Sequence, residues 1–323
     1  MPSASPLLSV RNLVVRYAPS GSRRQSITAV RDVSLDIARG RIQALVGESG
    51  SGKTSLARAI LRLLPIESGQ VLFRGVDMAT LDRRQLRDAR RHLQAVFQDP
   101  LASLSPRRNV LQALLEPLDH FRIGAAAQRP ERALAALETV GLSPALQLRY
   151  PHELSGGQRQ RVSLARALVT EPDLIIADEP VSSLDVPVQA RIIDLIRELR
   201  DRLGLSFLFV SHDLSVVRRV ADDVAVMYCG TLLETGPASR LFDQPAHPYT
   251  RCLLAAIPAP DPGLPPPAVI GGEPPSALTP PRGCVFHMRC PDRFEPCATE
   301  QPGETSASMP EQDHRVRCHL WNR

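Results

Sequence analysis

Residues 47–54 form a glycine-rich segment around a single lysine, a combination that can bind a phosphate group. The segment reads GESGSGKT, follows the apolar run RIQALV and precedes the helix-like run SLARAILRLL. Glycines let such a loop curl, so that backbone N–H groups and the N-terminus of the next helix face phosphate oxygens. The lysine reaches the terminal phosphates of a nucleotide, and the hydroxyl after it can bind Mg²⁺. The predicted phosphate-binding residues are Gly47, Glu48, Ser49, Gly50, Ser51, Gly52, Lys53, Thr54 and Ser55.

Lys53 is also the only lysine of the chain, since the other 38 of its 39 basic residues are arginine. A guanidinium group is planar and bulkier than an ammonium group, which is a compact point charge on a flexible stem. Arginine therefore serves every solvated position, whereas a tight amide-lined loop requires lysine. The amino-acid composition and the glycine-rich motif therefore both indicate that Lys53 has a specific role in phosphate binding.

Two adjacent carboxylates follow a second apolar run, in the segment DLIIADEP at 173–180. A phosphate loop needs such a carboxylate, at the end of a neighbouring strand, to hold Mg²⁺. Asp178 would hold this ion, directly or through water. Glu179 would polarise the attacking water as a general base. The two motifs together predict a nucleotide-hydrolysing enzyme.

The composition excludes several other classes of protein. The chain is 43% hydrophobic and 23% charged, as is usual for a globular protein, and a formal charge of +5 over 323 residues is too small an excess to indicate nucleic-acid binding. The longest apolar runs, at 174–177 and 207–210, are far shorter than a membrane span. The N-terminus lacks a signal-peptide pattern. We expect a cytosolic protein that reaches a membrane only through its partners.

Short apolar runs alternate with helical patterns through most of the chain, which predicts an α/β fold. The fold class is a P-loop NTPase core, a mixed sheet with flanking helices. An antiparallel β subdomain would precede the core, because the early strands alternate apolar and polar residues. A helical subdomain would be inserted at about 99–165. The main boundary falls where prolines accumulate, which separates a domain over 7–257 from an irregular Pro- and Cys-rich extension over 258–323.

The segment LSGGQ at 154–158 narrows the prediction to one family. Together with Lys53, the carboxylates after the second apolar run, SLD at 183–185 and His212, in this order, the chain resembles the ATP-binding subunit of an ABC transporter. The resemblance implies two such subunits in a head-to-tail dimer, with two ATP molecules between them. The cofactors it implies are ATP and Mg²⁺.

The resemblance also implies a role for the signature motif and for an aromatic residue. The signature would begin a helix whose N–H groups bind the γ-phosphate of the ATP held mainly by the partner subunit. Its residues are Ser155, Gly156, Gly157 and Gln158. Tyr17, at the end of a predicted strand, resembles the aromatic residue that stacks on adenine.

Three further residues gain roles from the same resemblance. Gln98, in VFQDP, resembles the glutamine that senses Mg²⁺ or the lytic water and transmits the nucleotide state to the membrane partner. Asp185 resembles the residue that contacts the opposite phosphate loop. His212, in FLFVSHD, resembles the switch histidine at the γ-phosphate. The predicted catalytic set is therefore Glu179, His212 and Gln98, and the predicted Mg²⁺ ligands are Thr54, Gln98 and Asp178.

Further segments resemble the subfamily that serves oligopeptide and dipeptide importers, with nickel and opine relatives. They are VFQDPLASLSPR at 96–107, YPHELSGGQ at 150–158, HPYTRCLLAAIP at 247–258 and GCVFHMRCP at 283–291. This resemblance implies a sister ATP-binding subunit in a heterodimer, two transmembrane permease subunits and an external substrate-binding protein, at the cytoplasmic face of the inner membrane. The alternatives are the ATPase of a nickel or opine importer and an ABC ATPase outside transport.

Four cysteines near the C-terminus form a candidate metal site. Cys284, Cys290, Cys297 and Cys318 follow the pattern C-x5-C-x6-C-x20-C, without the closely spaced pairs typical of zinc sites. Histidines nearby could complete a zinc site, and four thiolates also suit an iron–sulfur cluster. The resemblance implies a [4Fe-4S] centre in some members. Cluster, zinc and metal-free cysteines all stay open.

Overall fold

A computed structural model describes residues 5–17, 26–99, 103–257, 271–276, 278, 280–307 and 314–321. Most of the proline-rich stretch 257–283 lies outside these residues, as does the start of the predicted helical insertion at 100–102. The expected extended course of the proline-rich stretch is therefore a prediction for its larger part.

The described residues contain twelve strands and nine α-helices. The strands are β1 Leu8–Tyr17, β2 Ile27–Ile37, β3 Ile42–Val46, β4 Ser68–Phe73, β5 Val76–Asp77, β6 Leu93–Val96, β7 Leu174–Asp178, β8 Ser206–Ser211, β9 Asp223–Tyr228, β10 Thr231–Pro237, β11 Thr305–Ser306 and β12 Arg315–Val316. The helices are α1 Lys53–Ile60, α2 Arg83–His92, α3 Val110–Phe121, α4 Arg129–Thr139, α5 Gly156–Leu168, α6 Val186–Leu203, α7 Leu214–Val220, α8 Ala238–Asp243 and α9 Pro248–Ala255.

The chain divides into two compact units. The first comprises Met1–Ile37, Ile42–Ala79 and Ser211–Arg323, and the second comprises Ala38–Arg41 and Thr80–Val210. The phosphate loop and the C-terminal extension belong to the first unit. The carboxylates after β7 and the signature motif belong to the second.

Two sets of strands form the first unit. One is an antiparallel sheet in the order β2-β1-β4-β5, in which β1 and β2 alternate buried and more exposed residues, as the sequence pattern predicts. In the other, β3 runs parallel to β9, and β10, β12 and β11 continue antiparallel from β9. Strand β3 is buried throughout, so the loop after it starts from a fixed position.

The second unit contains a parallel set of strands in the order β8-β7-β6. Strand β7 is buried over its whole length, which explains its continuous apolar run. Helices α3, α4 and α5 pack against one another, and α5 also packs against α6. In the described part of the chain, no helix is both long enough and apolar enough to span a membrane.

Candidate active site

The phosphate loop connects the buried end of β3 to the first residue of α1. Gly52 is the N-cap residue of α1 and has a φ of 106°, which disfavours any residue with a side chain. A Cβ atom at this position would lie 2.3 Å from the carbonyl oxygen of Ala29. No side chain caps the N-terminus of α1, whose first N–H groups are those that bind anions in phosphate loops. The backbone therefore has the shape of a phosphate cradle.

Lys53 points its ammonium group into this loop. The residue is only 5% exposed, and Nζ donates hydrogen bonds to the carbonyl oxygens of Gly47 at 2.8 Å and Glu48 at 2.9 Å. A longer contact of 3.4 Å joins Nζ to Oγ of Ser51. A buried ammonium group with three oxygen neighbours is a positive charge held at the inside of the loop.

The first unit also carries two further residues predicted for the nucleotide site. Tyr17 is the last residue of β1 and is partly exposed. His212 directly follows β8 and is exposed.

In the second unit, the structure brings together Glu179 and Gln98, which are 81 residues apart in the sequence. Nε2 of Gln98, just after β6, donates a hydrogen bond of 3.0 Å to Oε2 of Glu179. Asp178 is the last residue of β7 and is 6% exposed. Glu179 has a φ of 48°, an unusual value for a residue with a side chain, and its N–H donates to the carbonyl oxygen of Val210 at 2.9 Å. Asp178 is buried whereas Glu179 is partly exposed, so the two adjacent carboxylates have different surroundings and can serve different roles.

The signature motif begins helix α5 with a capping box. Oγ of Ser155 accepts the N–H of Gln158 at 3.3 Å, and Oε1 of Gln158 accepts the N–H of Ser155 at 2.9 Å. A Cβ atom on Gly157 would lie 2.5 Å from a methyl carbon of Val188. The motif residues therefore have structural roles in the helix start, beside any contact with a phosphate.

Asp185 lies at the start of α6. Oδ1 of Asp185 accepts the N–H of Val188 at 2.9 Å, which makes Asp185 the N-cap residue of this helix. The residue is exposed. It caps its own helix while remaining accessible to a partner.

Sequence reasoning missed a group of residues that surround Glu48 in the phosphate loop. The N–H of Glu48 donates to the hydroxyl of Tyr249 at 3.0 Å, and the Glu48 carboxylate accepts two hydrogen bonds from Arg289, at 2.7 and 3.0 Å. The hydroxyl of Tyr228 accepts a further hydrogen bond from Arg289 at 3.2 Å. Burial raises the pKa of Tyr228 to about 12 and also raises that of Tyr249, so both hydroxyls stay protonated. The only local signal was the position of Arg289 beside a cysteine of the extension.

The four predicted cysteines of the extension line one small cavity, and none of them forms a disulfide. Burial raises the pKa of Cys284 to about 12 and that of Cys290 to about 11, so without a cation both are thiols. His247 also lines the cavity. Its Nδ1 accepts the N–H of Tyr249 at 2.9 Å, while its buried Nε2 has no partner within the described residues.

This cavity can be tested against the metals that the sequence suggested. Within the described residues, no group of three or more His, Cys, Asp or Glu side chains is arranged to hold a metal ion. A zinc ion needs its donors about 2.0–2.3 Å from one point, which this arrangement does not provide. The thiolates of an iron–sulfur cluster bind separate irons and need not converge on one point. Four free thiols that line one cavity are the donor type that an iron–sulfur cluster requires.

Comparison with known proteins gives the family. Residues 30–182 match the family described as ABC transporter, and residues 233–297 match the C-terminal region of oligopeptide/dipeptide transporters. A putative peptide import ATP-binding protein from Brucella ovis is 50% identical over 92% of this chain and 93% of its own length. The chain belongs to the ATP-binding subunits of ABC transporters. Within them it falls in the oligopeptide/dipeptide subfamily.

Other members of this ABC subfamily align over nearly the whole chain. The oligopeptide transport ATP-binding protein AppF of Bacillus subtilis is 44% identical over 92% of this chain and 90% of its own length. The protein named OppF from Haemophilus influenzae is 42% identical, over 97% of this chain and 96% of its own length.

A solved structure is also similar to this chain. The ATP-binding cassette MJ0796, a dimer bound to ADP and Pi, matches with a TM-score of 0.64 and 29% identity, over 72% of this chain and 98% of its own.

These matches confirm the predicted family and fold class. The chain is an ABC ATPase with the P-loop α/β fold, an antiparallel β subdomain and a helical subdomain. It binds ATP and hydrolyses it to drive transport. The domain boundaries at 7–257 and 258–323 and the roles of single residues stay predictions.

Proposed function

We propose that this ABC ATPase energises the import of dipeptides and oligopeptides. The observation that carries the proposal is the match of residues 233–297 to the C-terminal region of oligopeptide/dipeptide transporters, in addition to the ATP-binding cassette itself. Relatives aligned over more than nine tenths of the chain are named for peptide import or oligopeptide transport. The substrate itself would be recognised by partner subunits, because the chain's own candidate site is built for a nucleotide.

In the proposed reaction, the phosphate loop binds ATP and Glu179 activates the water that attacks the γ-phosphorus. Lys53 neutralises charge on the transferred phosphoryl group, and His212 holds the γ-phosphate. The proton of the attacking water passes to Glu179, and ADP leaves with the bond electrons. The hydrogen bond from Gln98 to Glu179 supports this role, because it fixes the carboxylate that takes the proton.

Mg²⁺ would accompany ATP in this site and neutralise charge on its phosphates. The residues that would hold it are Thr54, Asp178 and Gln98, directly or through water. Their hydroxyl, carboxylate and amide oxygens are the hard donors that Mg²⁺ prefers. Tyr17 would stack on the adenine ring.

The proposed assembly contains four ATPase and membrane subunits. A sister ATP-binding subunit would complete a head-to-tail dimer. In this dimer Ser155, Gly156 and Gly157 would face the ATP of the other subunit, and Asp185 would contact its phosphate loop. Two transmembrane permease subunits would place the chain at the cytoplasmic face of the inner membrane as a peripheral protein, and a substrate-binding protein would act on the far side. The dimeric cassette bound to ADP and Pi supports the dimer, and the OppF relative supports the importer assembly.

We also propose that Cys284, Cys290, Cys297 and Cys318 hold a [4Fe-4S] cluster. The support is a cavity lined by four free thiols and by a buried histidine with an unsatisfied N–H. Iron and acid-labile sulfide would be assayed on protein purified without oxygen. About four of each per chain would support the cluster. A colourless protein without iron or sulfide, or one that contains zinc, would contradict it.

The transported substrate is tested by uptake into vesicles that contain the whole importer. Radiolabelled dipeptide, oligopeptide and nickel would be offered to the complex with and without ATP. ATP-dependent accumulation of peptide, lost in a complex that carries Lys53→Ala, would support the proposal. Accumulation of nickel without peptide would contradict it and would favour the alternative importer class.

A further inference from the structure

An arginine of the C-terminal extension forms an ion pair with the phosphate loop, 241 residues earlier in the chain. Nη1 and Nη2 of Arg289 donate to the two carboxylate oxygens of Glu48, at 2.7 and 3.0 Å. This two-pronged geometry is the strongest form of a guanidinium–carboxylate contact. Both residues belong to the first compact unit.

The surroundings of Arg289 show that its position is fixed. Its side chain is only 5% exposed. Its Nε donates to the carbonyl oxygen of Gly271 at 2.9 Å, and its guanidinium lies 5.8 Å from the ring centre of Tyr228. The Glu48 carboxylate raises the pKa of Arg289, so the guanidinium stays charged. Arg289 is thus a buried arginine held in one position by four hydrogen bonds to oxygen atoms, in contrast to an arginine in a solvated surface ion pair.

Glu48 poses an electrostatic problem for a phosphate loop. Its carbonyl oxygen accepts a hydrogen bond from the Lys53 ammonium group, so the backbone of Glu48 is part of the loop that would surround the phosphates. Its side chain adds a negative charge next to a ligand that carries several negative charges. Like charges at short range near a protein surface repel one another strongly enough to weaken an affinity severalfold. An ion pair with a buried guanidinium removes most of this repulsion.

We propose that Arg289 is a positioning residue of the nucleotide site, which neutralises Glu48 and thereby sets the affinity for ATP. The C-terminal extension then contributes to ATP binding through Glu48, by way of a residue next to Cys290. The inference rests on the assignment of residues 47–54 as the phosphate site. Arg289 does not touch the reacting atoms in this account, so it affects binding and leaves the chemical step unchanged.

The alternative is that the Arg289–Glu48 ion pair has only a structural role and attaches the extension to the phosphate loop. Such a pair depends equally on both partners, so Arg289→Gln and Glu48→Gln would weaken ATP binding alike. If Arg289 instead acts by neutralising Glu48, the two variants change the Kd for ATP in opposite directions. Loss of the arginine leaves an unpaired carboxylate that repels ATP, whereas loss of the carboxylate leaves a positive charge that does not.

The experiment measures the Kd of a fluorescent ATP analogue with Mg²⁺, and the KM and kcat of ATP hydrolysis, in the assembled complex. We expect Arg289→Gln to raise Kd and KM about tenfold with kcat changed less than about twofold. Glu48→Gln should lower Kd by about twofold or more, because it leaves the positive charge of Arg289 uncompensated near the phosphates. Arg289→Lys should raise Kd by less than about threefold, because it keeps the charge. The double variant should bind within about threefold of the wild type.

A matched control and a reference variant complete the design. Arg315→Gln breaks an exposed pair with Glu304 in the same extension and should change neither Kd nor kcat. Equal weakening by both single variants without recovery in the double variant would overturn the proposal, as would an unchanged Kd in Arg289→Gln. The variant Lys53→Ala distinguishes a failure of the phosphate-site assignment from a failure of the role proposed for Arg289. If it too leaves Kd unchanged, the assignment of the phosphate site fails. If it abolishes binding while Arg289→Gln has no effect, only the role of Arg289 fails.

Discussion

Lys53 stands where an arginine would not fit, and its contacts give the reason. Its ammonium group lies between the carbonyl oxygens of Gly47 and Glu48, with 5% of the residue exposed. A compact group can occupy this position and still turn towards a phosphate. A planar guanidinium needs more room and a flat set of acceptors.

We therefore predict that Lys53→Arg keeps the fold and loses ATP hydrolysis by about 100-fold or more, the scale of losing one preorganised group at the developing charge. Steady-state ATPase rates in the assembled complex and the thermal unfolding midpoint would be measured together. Arg58→Lys, on the exposed side of the same helix, is the matched control and should behave as the wild type. Hydrolysis at half the wild-type rate in Lys53→Arg would show that charge alone is sufficient.

Residues of this kind could be predicted from the sequence because their function requires a fixed local spacing. Lys53 and Glu179 follow directly from a loop–helix motif and from a buried strand. Arg289 could not be predicted in the same way, since no spacing rule relates it to Glu48 across 241 residues. Such a contact depends on how the extension folds back, which only the tertiary structure records.

At the scale of elements, the start of α5 combines a functional motif with a packing requirement. The capping box between Ser155 and Gln158 defines where the helix begins. Gly157 lies so close to Val188 that a Cβ would approach a methyl carbon to 2.5 Å. The sequence indicates that glycines occur here, but their contact with α6 could not be read from the motif alone.

This contact predicts that Gly157→Ala lowers the free energy of unfolding by about 1 kcal/mol, because overpacking outweighs the gain in helix propensity. Gly157→Ala combined with Val188→Ala should recover that loss, since the shorter side chain makes room. Urea unfolding of Gly157→Ala, Val188→Ala and the double variant would measure both effects. If the double variant is no more stable than the single one, packing against Val188 is not the reason for the glycine.

At the scale of the whole molecule, a buried glutamate–histidine pair holds the extension to the rest of the first unit. The carboxylate of Glu234, on β10, accepts the N–H groups of Ala246 and His247 at 2.8 and 2.9 Å. Its Oε1 also contacts Nε2 of His314 at 2.7 Å, with 3% and 0% of the histidine and glutamate side chains exposed. Proline content predicted that a distinct extension begins near residue 258. Its attachment could not be predicted, because a lone histidine and a lone glutamate carry no pairing signal.

We predict that His314→Ala lowers the free energy of unfolding by about 1–3 kcal/mol, since it removes one of the hydrogen-bond partners of the buried Glu234 carboxylate, whose Oε1 then keeps only the N–H of Ala246. Urea unfolding would measure the change, and limited proteolysis would show whether the extension is released first. His120→Ala, at an exposed position, is the control and should change stability by less than about 0.5 kcal/mol. Equal stability of the His314 variant and the wild type would mean that the pair does not hold the extension.

The central claim is that this chain hydrolyses ATP with Glu179 as the base, and Glu179→Gln tests it most directly. Glutamine keeps the size of the side chain and can keep the contact with Gln98 but cannot take a proton. In the assembled complex, ATP binding and hydrolysis would be measured on the same preparation. We predict an ATP affinity within about threefold of the wild type, hydrolysis reduced by about 100-fold or more, and ATP trapped in closed dimers. Hydrolysis by Glu179→Gln at the wild-type rate would contradict the account.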